Sequence, residues 1–278
     1  KRQGHGLVIT HKGAGMNQKL QEKLQGLYKE LLQIDNSVYE DVLEKFYTFG
    51  VEPGDVVVDV GAHVGRHTIP MARAVGDGGE VIAFEPLPNL WGRLSKEIQG
   101  NDVESIVTLH HCALSDTGGK AEFLYVEDSP GLSGLKERTS HAGHEISRIN
   151  VEVKRLDDVV PEGRKISFIK VDAEGADYFI LKGARRILSE DRPFIVFESG
   201  RINAFPAKSY NYSEYEFNAF FDEIGYVLYD IAGFKYDPFF WDIPTLNDFV
   251  ALPREREAEG RQLLTMAVVG TLAGSYLD

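Results

Sequence analysis

The chain has 278 residues, 43% hydrophobic and 26% charged, which is ordinary for a globular enzyme and excludes a disordered chain. The 30 Lys and Arg residues against 43 Asp and Glu give a net charge of −13, which argues against nucleic acid or an anionic membrane as the main partner. The single cysteine, Cys112, excludes an internal disulfide and favours a cytoplasmic location. We find no signal peptide, and the apolar run 263–277 is too short to span a bilayer.

The N-terminal part is basic and helical. Residues 1–15 are rich in glycine and basic residues, and apolar spacing predicts helices over 16–34 and 38–46. We divide the chain into an N-terminal arm with helices (1–50), a main domain (51–253) and a C-terminal tail (254–278). The first residue is not Met, so the sequence leaves open whether further domains are attached to this one. It also leaves open whether the chain forms a homo-oligomer through the first helix or the apolar tail.

Strands and helices alternate from residue 56 onward, which predicts βαβ units and a parallel sheet. We expect strands at Val56–Val60, Val81–Phe84, Ile106–His110, Ile166–Val171, Phe194–Phe197, Tyr226–Ile231 and Asp248–Leu252. We expect helices at Arg66–Ala74, Leu90–Ile98, Gly175–Leu188 and Glu214–Ile224. Two segments break the alternation: a polar loop at 127–150, between extended runs at 121–126 and 151–154, and an aromatic, polar segment at 199–213. Both follow strands and could cover a ligand site at the carboxyl edge of the sheet.

The turn Asp59-Val-Gly-Ala-His-Val-Gly65 joins the first strand to the first helix of the sheet. Gly61 permits a tight turn and Gly65 permits close packing, and such a turn into a helix is an anion site. A dinucleotide fingerprint needs a further glycine where Ala62 and His63 stand, so the smaller carboxylate of S-adenosylmethionine fits better than a pyrophosphate. Asp59 is expected to address the ligand's ammonium group, directly or through water.

Acidic residues also follow the next two strands. Glu85 ends the second strand, 24 residues after Gly61, where an acid accepts hydrogen bonds from ribose hydroxyls. Ser115 and Asp116 follow the third strand. There they either bind the exocyclic amine of adenine or only cap a turn.

Seven motifs in order resemble the FkbM-type methyltransferase family over about residues 38–200. They are Asp59-Val-Gly-Ala-His-Val-Gly65, Phe84-Glu85-Pro86, Ala113-Leu-Ser-Asp116, Leu156-Asp157-Asp158, Ile169-Lys-Val-Asp-Ala-Glu-Gly175, Leu181-Lys-Gly-Ala184 and Phe197-Glu198. The resemblance implies an α/β class I methyltransferase (Rossmann-like) fold with a seven-stranded, mostly parallel sheet. It also implies methyl transfer from S-adenosylmethionine to a hydroxyl of a sugar, glycan or polyketide-type product. The family's cofactor residues fall on Asp59, Gly61, Gly65 and Glu85, and His63 stands where the family more often has Asn.

Methyl transfer to an alcohol calls for a base or a metal ion. Asp172 ends the fourth strand and Glu198 the fifth, so both carboxylates are expected at one cleft. We prefer Asp172 as the base, with Glu198 orienting the acceptor or sharing a Mg²⁺ ion with it. His63 is a candidate cofactor contact and an alternative base. Glu174 either takes part in catalysis or only stabilises the following helix, as an acidic residue near the helix N-terminus.

Two other functions stay open at this point. A nicotinamide-dependent oxidoreductase uses a similar sheet, although His63 crowds its phosphate turn and no Tyr-x-x-x-Lys pair is evident. A cofactor-binding scaffold subunit without catalysis is the other. The aromatic stretch 205–221 is a candidate acceptor pocket, whereas His141 and His144 are interpreted as residues of a solvated loop.

Overall fold

A computed structural model describes residues 18–137, 141–198, 210, 212–238, 241 and 246–274. The basic arm and most of the 199–213 segment lie outside these residues. The helices are α1 (Gln18–Leu31), α2 (Asn36–Gly50), α3 (Thr68–Val75), α4 (Pro88–Gly100), α5 (Leu156–Val159), α6 (Asp177–Lys182), α7 (Arg185–Glu190), α8 (Glu214–Glu223) and α9 (Glu257–Gly274). The strands are β1 (Val56–Val60), β2 (Glu80–Phe84), β3 (Val107–His110), β4 (Ala113–Leu114), β5 (Gly119–Val126), β6 (Ile146–Lys154), β7 (Phe168–Val171), β8 (Phe194–Glu198), β9 (Tyr226–Asp230) and β10 (Asp248–Pro253).

The main sheet has seven strands in the order β3-β2-β1-β7-β8-β10-β9. Neighbouring strands from β3 to β8 pair in parallel, and β10 runs antiparallel to both β8 and β9. This confirms the predicted α/β fold with a seven-stranded, mostly parallel sheet. Val57 and Val58 of β1 are fully buried, as expected for a β-branched strand covered on both faces.

Helices cover both faces of the sheet. On one face, Val58 and Phe197 pack in a core with α5 to α8. On the other face, Val57 and Phe168 pack with α2, α3, α4 and α9. α9 packs against α2, and its residues Leu264 and Ala267 are buried, so the described part of the apolar tail packs on the body of the same chain. Within the described residues, no helix is long and apolar enough to cross a membrane.

A second, three-stranded sheet, in the order β4-β6-β5, includes the extended runs on both sides of the expected loop. The prediction of a loop over 127–150 is wrong at its C-terminal end, because 146–150 belong to β6 and pair with β5. These residues alternate between exposed and half-buried positions, and the polar side chains of that solvated face conceal the strand in the sequence. The segment that follows β5 folds back, since the backbone N–H of Val126 donates to Ser133 Oγ at 3.0 Å.

The single helix expected over 175–188 is two helices, α6 and α7. Gly183 lies at the break, and a Cβ there would come within 2.2 Å of the carbonyl oxygen of Ser115. The Asp157 carboxylate starts α7 by accepting hydrogen bonds from the backbone N–H groups of Arg186 and Ile187, at 2.9 and 3.2 Å. The helix therefore ends where the chain passes closely over β4.

Candidate functional site

A cavity of about 240 Å³ opens at the carboxyl ends of β1, β2 and β7. Ligands bind at this edge in open α/β sheets. The apolar lining residues Phe84, Cys112 and Leu114 come from the end of β2 and from the chain after β3, whereas Lys170 comes from β7, on the other side of β1. The site can therefore take a ligand with one flat apolar end and one charged end.

The turn after β1 forms the floor of this cavity. Gly61 has φ +80°, and a Cβ on it would lie 1.9 Å from the carbonyl oxygen of Asp172, so only glycine fits. The backbone N–H groups of Gly61 and Ala62 both donate to the carbonyl oxygen of Phe84 at 3.0 Å. Gly65, with φ +90°, packs against the side chain of Leu94. The turn therefore contacts the ends of β2 and β7, the strands on either side of β1.

Glu85, at the end of β2, lines the cavity and is only 4% exposed. Its two carboxylate oxygens accept hydrogen bonds from the backbone N–H groups of His63 and Leu87, each at 2.8 Å. Burial raises the pKa of Glu85 to about 7, although these two donors act to lower it. Each oxygen keeps a lone pair with which it can accept from a ligand hydroxyl.

Asp59 is fully buried and is not part of the cavity lining. Its Oδ2 accepts a hydrogen bond from Thr68 Oγ1 at 2.6 Å, and its Oδ1 lies 3.5 Å from Lys170 Nζ. Of the two modes expected for Asp59, this placement favours an indirect action on a ligand.

Lys170 links Asp59 to Asp172. Its buried ammonium lies 3.5 Å from carboxylate oxygens of both residues. Burial alone would lower the pKa of Lys170, but the charges of Asp172 and Asp59 raise it above its ordinary value, so the residue stays charged. The Asp172 side chain lines the cavity and is 49% exposed, which leaves it accessible to a ligand.

Acidic side chains gather beside Asp172. Asp172, Glu174 and Glu198 each have a carboxylate oxygen within 4.8 Å of the other two. Asp248, which pairs with Glu198 across β10 and β8, has its pKa raised to about 8 by burial and then by the charges of Glu198 and Asp172. Buried Asp177 accepts from the backbone N–H groups of Gly175 and Glu198, and burial raises its pKa as well. Such a cluster can hold a hard cation or retain a proton.

His63 lines the cavity and stands in the left-handed region at φ 49°. Burial lowers the pKa of its imidazole, and the charge of Arg93 lowers it further. The ring is therefore neutral at pH 7 and able to accept a proton.

Other residues singled out by the sequence lie away from the cavity. Ser115 and Asp116 do not line it, and Asp116 Oδ2 instead lies 3.0 Å from Lys182 Nζ. This pair therefore lies outside the cavity lining, and its contact with adenine stays a prediction. His141 is buried, and its Nε2 lies 2.8 Å from the Leu132 carbonyl oxygen, so the prediction of a solvated position is wrong for this residue. His144 is half-buried, and its Nδ1 lies 2.9 Å from Asp128.

The aromatic segment is also largely structural. The ring of Tyr212 lies 4.5 Å from that of Tyr178, and Phe217 is fully buried in the core. Of the candidate acceptor pocket, residues 205–209 and 211 lie outside the described residues.

Two contributors to the site were missed in the sequence. Asp248 opens an antiparallel strand, which places it at the carboxyl edge of β8, and only the strand order reveals this. Glu40 reaches the cavity from α2, and no local motif marks it.

The family profile described as "Methyltransferase FkbM domain" matches residues 59–235. The chain is 32% identical over 154 residues to "Methyltransferase sdnD" of Sordaria araneosa, covering 46% of this chain and 59% of that protein. It is 26% identical over 207 residues to "31-O-demethyl-FK506 methyltransferase FkbM" of Streptomyces tacrolimicus, covering 64% and 73%. Among solved structures, a methyltransferase FkbM from Methylobacillus flagellatus KT aligns with a TM-score of 0.42 and 19% identity, over 71% of this chain and 43% of that one.

Proposed function

The chain belongs to the methyltransferase FkbM domain family, and from that premise we propose that it transfers a methyl group from S-adenosylmethionine to a hydroxyl oxygen. The acceptor we propose is a sugar, a glycan or a polyketide-type product. The name of the Streptomyces relative, a 31-O-demethyl-FK506 methyltransferase, supports an oxygen acceptor on a natural product.

Glu85 is the observation that carries this proposal. A buried carboxylate at the end of β2, oriented by two backbone donors, is built to accept hydrogen bonds from the ribose hydroxyls. The apolar end beside Phe84 and Leu114 suits an adenine ring, and the charged end beside Lys170 suits an amino acid. Gly61, Gly65 and His63 form the turn under the ligand, while Asp59 acts through Lys170. The contact of Ser115 and Asp116 with adenine stays a prediction.

S-Adenosylmethionine supplies an electrophilic methyl group on its sulfonium. Asp172, exposed to the cavity, would accept the proton of the acceptor hydroxyl when that oxygen takes the methyl group. Lys170 holds the Asp172 carboxylate in place from 3.5 Å. Pro130, Ser133 and Leu135 line the cavity from the segment after β5, where they exclude water from the reacting atoms. His63 is the alternative base, since its ring is neutral.

We also propose that Mg²⁺ assists the reaction. Asp172 and Glu198, joined by Glu174, present oxygens within 4.8 Å of one another, and an all-carboxylate set is the donor type that Mg²⁺ takes together with water. A bound cation there would lower the pKa of the acceptor hydroxyl. Treatment with EDTA should then abolish methyl transfer and added Mg²⁺ should restore it, whereas full activity in EDTA would remove the metal from the proposal.

Ligand binding followed by a transfer assay tests the main proposal. S-Adenosylhomocysteine should raise the melting temperature of the protein and NAD should not, because a ligand stabilises only the fold that binds it. Transfer of labelled methyl from S-adenosylmethionine to a panel of sugars, glycans and hydroxylated natural products should then identify the acceptor. A rise in melting temperature with NAD alone would instead support the nicotinamide alternative. Cofactor binding without transfer to any member of the panel would support the scaffold alternative.

A cytoplasmic location is part of the same proposal. The free, buried thiol of Cys112 is in keeping with a reducing compartment. The net charge of −13 supports a small-molecule acceptor over nucleic acid. A homo-oligomer and appended domains stay predictions.

A further inference from the structure

One carboxylate of the cavity comes from outside the matched domain. Glu40 lies on α2, before residue 59, and lines the same cavity as the turn after β1. Its side chain is 31% exposed, so it faces the space rather than the core. The adjoining cavity residues, Arg66 and His67, directly follow the turn.

Neighbouring side chains hold Glu40 through only one of its oxygens. His67 Nε2 lies 2.8 Å from Glu40 Oε2, and Arg66 Nε donates to the same oxygen at 3.4 Å. His67 is buried, and its Nδ1 lies 3.4 Å from the hydroxyl of buried Tyr47, which fixes the ring. Within the described part of the chain, no hydrogen bond reaches Glu40 Oε1. The hydrogen bond with His67 lowers the pKa of Glu40 to about 2, so the carboxylate is ionised at neutral pH.

The charges at this end of the cavity match the amino-acid part of the proposed cofactor. That part carries an ammonium and a carboxylate, so it needs one anion and one cation from the protein. The Asp172 carboxylate already faces Lys170 and the acidic cluster at the edge of β7 and β8. Glu40 lines the cavity from α2, which packs against α3, and lies beside the guanidinium of Arg66.

We propose that Glu40 is a cofactor-binding residue whose Oε1 accepts a hydrogen bond from the α-ammonium of the amino-acid part. This inference rests on the proposed function and assigns a cofactor contact to α2, which lies outside the matched residues 59–235. His67 and Tyr47 act as positioning residues, since His67 binds Glu40 Oε2 and the Tyr47 hydroxyl fixes the His67 ring.

Two ligands that differ only in the amino-acid part provide the test. S-Adenosylhomocysteine carries that part, and 5′-methylthioadenosine has a methyl group in its place, with the same adenosine and sulfur. The dissociation constants of both are measured by calorimetry at pH 7.5 for the wild-type protein, Glu40→Gln and Glu40→Asp. Glu44→Gln is the matched control, because it removes a charge one turn further along α2 from a residue outside the cavity lining.

We expect Glu40→Gln to weaken S-adenosylhomocysteine about 10- to 100-fold and 5′-methylthioadenosine less than twofold, since one charge-assisted hydrogen bond is lost. Glu44→Gln should change neither constant. Equal weakening of both ligands in Glu40→Gln and Glu40→Asp would show that Glu40 only anchors α2, and an unchanged constant for S-adenosylhomocysteine would likewise overturn the proposal. Failure of the wild-type protein to bind either ligand would refute the proposed function itself.

Discussion

The buried carboxylate of Glu85 makes the stability of the ligand-free protein depend on pH. Burial raises the pKa of Glu85 from 4.5 to about 7. Between these values the folded state binds the proton more tightly than the unfolded chain does. The group therefore stabilises the fold below pH 4.5, and this contribution is lost as the pH rises through 7. At about 1.36 kcal/mol per pKa unit, the loss between pH 5 and pH 8 is about 2.5 kcal/mol.

Glu85→Gln isolates the pH-dependent contribution of Glu85 to stability, because glutamine does not titrate between pH 5 and pH 8. The amide group also misplaces a donor against the backbone N–H of His63 or Leu87, but that cost is the same at both pH values. All other titrating groups are shared by the two proteins and cancel in the comparison.

Urea denaturation of ligand-free protein at pH 5 and pH 8 measures the effect. The free energy of unfolding of Glu85→Gln, relative to wild type, should rise by about 2.5 kcal/mol from pH 5 to pH 8. A relative free energy that is the same at both pH values would refute the environment described for Glu85. The same variant should also bind S-adenosylhomocysteine at least tenfold more weakly at pH 8, because an amide is a poorer acceptor for two ribose hydroxyls.

Three further substitutions test the rest of the site. Gly61→Ala should lower the stability measured by thermal denaturation by several kcal/mol, because its Cβ would lie 1.9 Å from the Asp172 carbonyl oxygen. The control Gly54→Ala, at φ +93° with open space around it, should lower stability by about 1 kcal/mol. Equal losses in the two variants would contradict the close approach at Gly61. Asp172→Asn should lower kcat for methyl transfer about 100-fold or more and change the Kd of S-adenosylhomocysteine less than threefold, and an unchanged kcat would exclude Asp172 as the base. Lys170→Met should lower the free energy of unfolding by about 3 kcal/mol, because it leaves two carboxylates without their cation. Adding Asp59→Asn should recover part of this loss. Strictly additive losses in urea denaturation would show that Lys170 and Asp59 do not interact.

The positions of the main strands along the chain could be predicted because their signals are local. The β-branched run of β1 is followed by a glycine turn, and Glu85-Pro86 marks the end of β2, so each βα unit is visible by itself. Because β7 and β8 are parallel neighbours, the approach of Asp172 to Glu198 followed directly from their positions at strand ends.

Contacts made by distant parts of the chain could not be predicted in this way. Glu40 reaches the cavity only because α2 packs beside α3, and Asp248 lies opposite Glu198 only because β10 is antiparallel. The burial of Asp59 behind Lys170 depends on the register of β1 and β7, in which the two residues are direct partners. Asp116 lies near Lys182 because the chain at Ser115 passes close to Gly183, at the break between α6 and α7, which a helical pattern through 175–188 conceals.

The position of β10 has a consequence for how the protein is made. β10 lies between β8 and β9, yet its residues, 248–253, follow the end of the matched domain at residue 235. On the ribosome, β9 emerges before the strand that joins it to the sheet, so β8 keeps an open hydrogen-bonding edge until residue 253 has left the exit tunnel. An expression fragment cut at residue 235 would keep that edge permanently and would be prone to aggregate, so recombinant work on this family member should retain the chain at least through β10.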